Sequence, residues 1–130
     1  MDCRGMGCRA QAIADVILVR VAGRIDHTTA KAFENTLLPL LDGYSGEAKR
    51  ALLDLSGVAY MSSAGLRVLI LAAKQCREPY GEIVVAALQP PLQEVFSIAR
   101  LELVFKVFKT VREGLEAISP AAAVAYDHPA

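Results

Sequence analysis

Along the chain the apolar positions change period repeatedly, and each change marks an element. Residues 15–22 are rich in β-branched side chains and stop at Gly23, which predicts a strand. Residues 8–14 are expected to form a partner strand ahead of a tight turn. Asp26, Thr28 and Thr29 supply N-cap candidates, and Ala30, Phe33, Leu37, Leu40 and Leu41 follow at helical spacing. Pro39, late in that run, should kink or shorten the helix. Residues 42–47 read as a loop. Residues 50–55 are almost wholly apolar, the pattern of a parallel strand buried on both faces. Residues 56–62 are expected to connect this strand to a helix bearing the stripe Leu66, Leu69, Ile70, Ala73 and Cys76, broken at Pro79 and Gly81. A strand follows over residues 82–88. Pro90 and Pro91 open a short helix with Val95, Phe96 and Ala99 facing inward. Residues 103–108 predict an outer strand, and Thr110-x-x-Glu113 is a capping-box pattern for a last helix through Ile118.

The predicted order is therefore β-β-α-β-α-β-α-β-α. Such alternation argues an α/β fold with a mixed, mostly parallel sheet and right-handed crossovers. A chain of 130 residues has room for one such domain, expected over residues 10–118. Residues 1–9 are expected to be a flexible N-terminus and residues 119–130 a flexible C-terminal tail. In sheets of this kind functional side chains gather at the carboxyl ends of the parallel strands. Two loops leave that edge early, over residues 23–28 and 56–63.

Composition narrows the function classes. With 54% apolar and 22% charged residues, the chain is globular. Its 14 basic residues equal its 14 acidic ones, whereas a protein that tracks phosphate backbones is normally basic, so no nucleic-acid partner is expected. The longest apolar stretches, residues 68–73 and 83–88, are far shorter than the roughly 20 residues of a membrane span. The first residues lack the apolar core of a secretory signal. No membrane insertion is therefore expected, and the cytoplasm is the expected compartment. Cys3, Cys8 and Cys76 follow no framework spacing and read as free thiols. His27 and His128 are not spaced to complete a zinc site, and no phosphate-cradling glycine loop is present, so neither metal nor cofactor is expected.

The most informative segment is Asp54-Leu-Ser-Gly-Val-Ala-Tyr-Met-Ser-Ser-Ala-Gly-Leu66. A buried strand ends, the chain turns, and Ser62 and Ser63 stand where a helix begins. Free N–H groups and the positive end of the dipole favour negative charge there. A phosphate on one of these hydroxyls would be held by the helix. Met61, Ala64 and Leu66 around it are apolar or small, a surface on which a partner can dock. A phosphoserine brings about −1.5 to −2 charge at pH 7, and enclosing that charge in an apolar contact costs several kcal/mol unless it is paired. One group is thus harmless to the fold and damaging to an interface. The plain alternative is an ordinary serine N-cap. A strand–Ser–helix turn is also the form of a hydrolase nucleophile elbow, but no glycine precedes Ser62-Ser63 at the required place and His128 is the only histidine after them. A serine hydrolase is a remote alternative.

This segment resembles the phosphorylation segment of the STAS family, specifically of the bacterial anti-sigma factor antagonists. Gly23-Arg-Ile-Asp-His-Thr-Thr-Ala30 resembles that family's segment after its second strand. The predicted element order resembles the family's as well. The resemblance places the phosphoacceptor at Ser63, two residues before Gly65, with Ser62 as the less favoured acceptor. Ser62 itself stands where the family usually has Asp. It further implies a partner-binding surface of Asp26, His27, Met61, Ser62, Ala64, Gly65 and Leu66. Asp26 is open to a second reading, as the N-cap of the following helix. The implied cycle is partner switching. The unphosphorylated protein binds an anti-sigma factor that is also a serine kinase of the histidine-kinase-like ATPase fold, so a sigma factor is released. Serine phosphorylation ends the complex, and a PP2C-type phosphatase restores it. The protein would then be substrate and ligand and no enzyme. The alternative within the same fold is a non-switching STAS subunit of a phospholipid ABC transport or stressosome assembly.

Overall fold

The computed structural model describes residues 6–43, 50–80 and 83–127. In chain order the elements are β1 Met6–Ile13, β2 Val16–Ile25, α1 Ala30–Gly43, β3 Arg50–Met61, α2 Ser63–Tyr80, β4 Ile83–Ala86, α3 Pro90–Ile98, a 3-10 turn Leu101–Leu103, β5 Lys106–Phe108, α4 Val111–Ile118 and α5 Pro120–Asp127. Five strands form one sheet in the order β1-β2-β3-β4-β5. β1 is antiparallel to β2, and the remaining pairs are parallel. This is the mixed, mostly parallel α/β sheet that the alternation of patterns predicts.

Strand alternation divides the core between the two faces. Ile17, Val19, Val21, Ala51, Leu53, Leu55, Ile83 and Val85 meet Phe33, Leu37 and Leu41 of α1 and Leu69, Ala72 and Cys76 of α2 on one face. Val16, Leu18, Leu52, Val84 and Ala86 meet Val111 and Leu115 of α4 and Ala122 and Ala123 of α5 on the other. Because β3 is sandwiched, residues 51–55 are all buried, as expected for a central parallel strand. Thr110 caps α4, its hydroxyl accepting from the Glu113 N–H at 3.1 Å. Among the described residues no helix is long and apolar enough to cross a membrane.

Several boundaries move. β1 starts at Met6, inside the segment expected to be a loose N-terminus, because β2 runs on far enough to pair Gly23 with Met6, which is 3% exposed. The expected tail contains α5. Ser119 starts it, its hydroxyl accepting from the Ala122 N–H at 3.2 Å and donating to Asp15, while Ala122 and Ala123 bury against the sheet. Pro39 lies inside α1 without ending it. β4 stops at Ala86, since Ala87 takes a left-handed φ of 64°. Leu101 and Phe105 are buried at a spacing of four, so the start of the expected outer strand is a 3-10 turn. Ala99 is exposed beyond the end of α3, and Leu92 and Phe96 are the residues of that helix that fill the core. Residues 1–5, 44–49, 81–82 and 128–130 lie outside the described residues, and with them Cys3, His128, most of the loop expected at 42–47 and the start of the strand expected at 82.

Candidate functional site

β2 and β3 both run further than their apolar runs suggest, to Ile25 and Met61. Two register shifts make this possible, between Arg20 and Ala22 and between Gly23 and Arg24, and each gives β3 an extra residue opposite β2. Gly23 adopts φ 108°, a conformation that other residues rarely take. The first irregularity is pinned from both sides. Buried Asp54 accepts from the Ser56 N–H at 3.0 Å, and Gln89 donates to the Ser56 carbonyl at 2.7 Å. Of the segments expected as loops, the first half of 23–28 and most of 56–63 are therefore strand, and the turns shrink to a few residues at the sheet edge.

That edge brings the two motifs together. Ile25 pairs with Met61, and one residue on the Ser62 N–H donates to the Ile25 carbonyl at 2.8 Å. α2 then begins at Ser63, with Ser62 at its N-cap and the first helical bond running from the Leu66 N–H to the Ser62 carbonyl at 3.0 Å. The N–H groups of Ser63, Ala64 and Gly65 stay outside the helical ladder, as they must in a first turn. A Cβ on Gly65 would lie 2.5 Å from Met61 Cγ and 2.7 Å from Ile25 Cγ2, so the glycine lets α2 start directly against the strand ends. This is the physical reason for a glycine two residues after Ser63.

The two serines differ sharply. Ser63 is exposed, whereas the Ser62 hydroxyl oxygen is buried and without a hydrogen-bond partner. Among the described residues no imidazole or carboxylate hydrogen-bonds either hydroxyl. No group of three His, Cys, Asp or Glu residues among those described is placed to hold a metal ion.

Asp26 heads the neighbouring turn. Its carboxylate accepts from the Thr28 hydroxyl at 2.6 Å, the Thr28 N–H at 2.9 Å and Arg24 Nε at 3.1 Å. The Thr28 hydrogen bonds, joined by that from Arg24, hold its carboxyl well below the usual carboxylate range. Asp26 also has the contacts of an N-cap, its carboxylate accepting from the N–H two residues on. α1 starts at Ala30, and Asp26 organises the turn before it, its carbonyl accepting from Ala30 at 2.9 Å. The Thr29 hydroxyl locks the same turn by donating to the Arg24 carbonyl and accepting from the Asp26 N–H, both at 2.9 Å.

Of the other residues expected at this surface, His27 is exposed and Ala64 half-buried. Met61 is 2% exposed, and Gly65 and Leu66 are also buried. Gly65 and Leu66 lie on the core side of α2 and Met61 ends β3, so these three shape the edge from beneath. Two residues were not singled out from the sequence as part of the surface. Arg24 stacks over the Tyr60 ring, 4.3 Å from its centroid, while pairing with Asp26, and Tyr60 is 40% exposed. Beside them, Tyr60, Met61, Pro91, Leu92, Val95 and Ile98 line a cavity of about 330 Å³ between the end of β3 and α3. Ile98 is 78% exposed. The signal for Arg24 was its place beside Asp26 in the second motif; nothing in the linear pattern joins Tyr60 to α3.

A mixed five-stranded sheet with helices on both faces, and a serine at the helix start beside an ionised aspartate, define the class. The STAS domain family matches the chain over residues 8–114, and the chain belongs to that family. BtrV of Bordetella bronchiseptica, provisionally designated an anti-sigma factor antagonist, is 38% identical over 95 residues, covering 73% of this chain and 79% of BtrV. An anti-sigma factor antagonist from Mycobacterium paratuberculosis superposes with a TM-score of 0.74 at 23% identity, over 87% of this chain and 93% of that one. The unphosphorylated form of the anti-sigma factor antagonist SpoIIAA superposes with a TM-score of 0.70 at 13% identity, over 88% and 97% of the two chains. Its phosphorylated form, described as a Bacillus cell fate determinant, superposes at 0.62, also at 13% identity, over 86% and 99%. At these identities the solved structures speak for the fold.

Proposed function

We propose that the protein is an anti-sigma factor antagonist switched by phosphorylation of Ser63. The unmodified protein binds an anti-sigma factor that is also a serine kinase of the histidine-kinase-like ATPase fold, and binding releases a sigma factor. The kinase transfers the γ-phosphoryl group of ATP to Ser63 Oγ. The Oγ–P bond forms, ADP leaves and the hydroxyl proton is lost. A PP2C-type phosphatase hydrolyses the ester and restores the binding form. The protein is ligand and substrate in this cycle, and ATP and metal belong to its partners.

The observation that carries this reading is the contrast between an exposed Ser63 at the first position of α2 and a buried Ser62 hydroxyl beside it. It favours Ser63 over Ser62 as acceptor, because a kinase must reach the oxygen it modifies. The helix start accommodates the dianion, so the fold survives modification. A docked partner meets about two negative charges, set beside a carboxylate that is already ionised. Asp26, His27, Ser63 and Ala64, with Tyr60 and the α3 groove at their flank, form the docking surface. Incubation with the anti-sigma kinase and ATP, followed by intact-mass and peptide mapping, is expected to add one phosphate at Ser63 and none to Ser63→Ala. Labelling that persists in Ser63→Ala and disappears in Ser62→Ala would move the acceptor, and no labelling of either serine would favour a fixed subunit of a larger assembly.

A further inference from the structure

Ser62 holds the N-cap position of α2 without acting as a cap. A serine there normally accepts from an N–H of the first turn, yet its oxygen is buried and unpaired. Such a group is costly to leave unsatisfied. The Asp26 carboxylate, at the head of the neighbouring turn, is already occupied by Thr28 and Arg24. We infer that Ser62 is the positioning residue for the modified state: once Ser63 carries a phosphoryl group, Ser62 Oγ–H donates to a phosphoryl oxygen and fixes the dianion over the open N–H groups of α2. The inference rests on the reading of Ser63 as the acceptor.

The geometry supports it in three ways. Ser62 and Ser63 are consecutive at the N-cap and first helical positions, beside the N–H groups that the first turn leaves outside the ladder. Ser62 is anchored through its backbone, by Ile25 on one side and Leu66 on the other, so only its side chain must turn. A staggered rotor has three wells to choose from. The chemistry is also one-directional: a hydroxyl donates to a dianion, where a carboxylate at this position would repel it. The competing partner is Arg67, exposed one helical turn beyond Ser63.

The test uses the full chain with phosphoserine installed at position 63 during synthesis, so that no kinase is needed. A donated hydrogen bond favours the dianion and lowers the phosphate's second pKa. Phosphorus NMR titration is expected to show that pKa rising by about 0.5 unit in Ser62→Ala and staying at the parent value in Ser62→Thr, which keeps the hydroxyl. Unmodified Ser62→Ala should melt at or above the parent, since it removes an unpaired buried group. Its phosphorylated form should melt about 4 °C below the phosphorylated parent. Arg67→Gln should shift the titration only at low salt. Identical titrations for parent and Ser62→Ala would overturn the inference, as would a shift at physiological salt that follows Arg67 and ignores Ser62. The titration involves no partner protein. Its failure leaves the docking role of Ser63 standing, whereas undiminished partner affinity of the phosphorylated chain would sink that role and leave the Ser62 contact intact.

Discussion

Replacing Gly65 with alanine adds one methyl group at the tightest point of the site. That carbon would sit 2.5 Å from Met61 Cγ and 2.7 Å from Ile25 Cγ2, where carbons ordinarily rest about 3.5–4.0 Å apart. The start of α2 or the strand ends must therefore yield by about 1 Å. Met61 and Ile25 are both buried, and Met61 has slack only toward the groove it lines beside α3. Overpacking of this kind costs about 1–3 kcal/mol. Alanine returns up to about 1 kcal/mol of helix propensity, and the flexible Met61 absorbs some of the strain. The net expectation is a loss of about 1–2 kcal/mol. In urea, with a slope of about 2 kcal/mol/M, the unfolding midpoint falls by about 0.5–1 M at unchanged slope. Gly7→Ala is the control, because a Cβ there meets nothing within 4 Å. A Gly65→Ala protein as stable as the parent or more so would show that α2 does not start pressed against β2 and β3, and the argument for how Ser63 is placed beside Asp26 would fail with it.

Asp26→Asn should weaken partner binding and lower the melting temperature, because it loses the charge that Thr28 and Arg24 hold, measured by calorimetry and thermal melts; a lowered melting temperature with undiminished partner affinity would make Asp26 chiefly structural. With its folded pKa lowered, Asp26 contributes stability that is present above the unfolded value of about 3.9 and is lost as pH falls through the folded one. Carboxyl-carbon NMR should accordingly show it ionised after ordinary aspartates have titrated, and a midpoint at or above the ordinary value would refute the hydrogen bonding drawn around it. Burial pushes the Cys76 thiol up to about 12, so Cys76 should resist alkylation at pH 8 in the folded protein and react on unfolding. Rapid modification of its peptide under native conditions, read by mass spectrometry, would contradict its place on the buried face of α2.

What could be read from the linear pattern follows from where the physics is local. Periodicity located the strands and helices because residues 51–55 are buried on both sides and because Phe33, Leu37 and Leu41 share one helix face. The capping pattern at Thr110 and Glu113 predicted its own hydrogen bond. The site was legible as two motifs, but their meeting depends on pairing between strands. The first register shift of β3 against β2 rests on Asp54 holding Ser56 and on Gln89 reaching back from the start of α3, contacts that no period encodes. The same holds for Arg24 over Tyr60. Leu66 heads the apolar stripe of α2, yet it was also placed on the partner surface with Met61 and Gly65, because apolar residues beside an exposed serine look alike whether they face a partner or the core. α5 was read as a tail because its alanine-rich stretch carries no amphipathic stripe, and its anchorage depends on Ser119 reaching Asp15 across the chain.

The most direct test is calorimetric titration of the purified anti-sigma kinase, loaded with a non-hydrolysable ATP analogue, with the full chain carrying either serine or phosphoserine at position 63. The unmodified chain should bind at least tenfold more tightly, a difference of about 1.4 kcal/mol or more, with superimposable circular dichroism for the two forms. Equal affinities would contradict the claim that charge at this helix start governs the partnership.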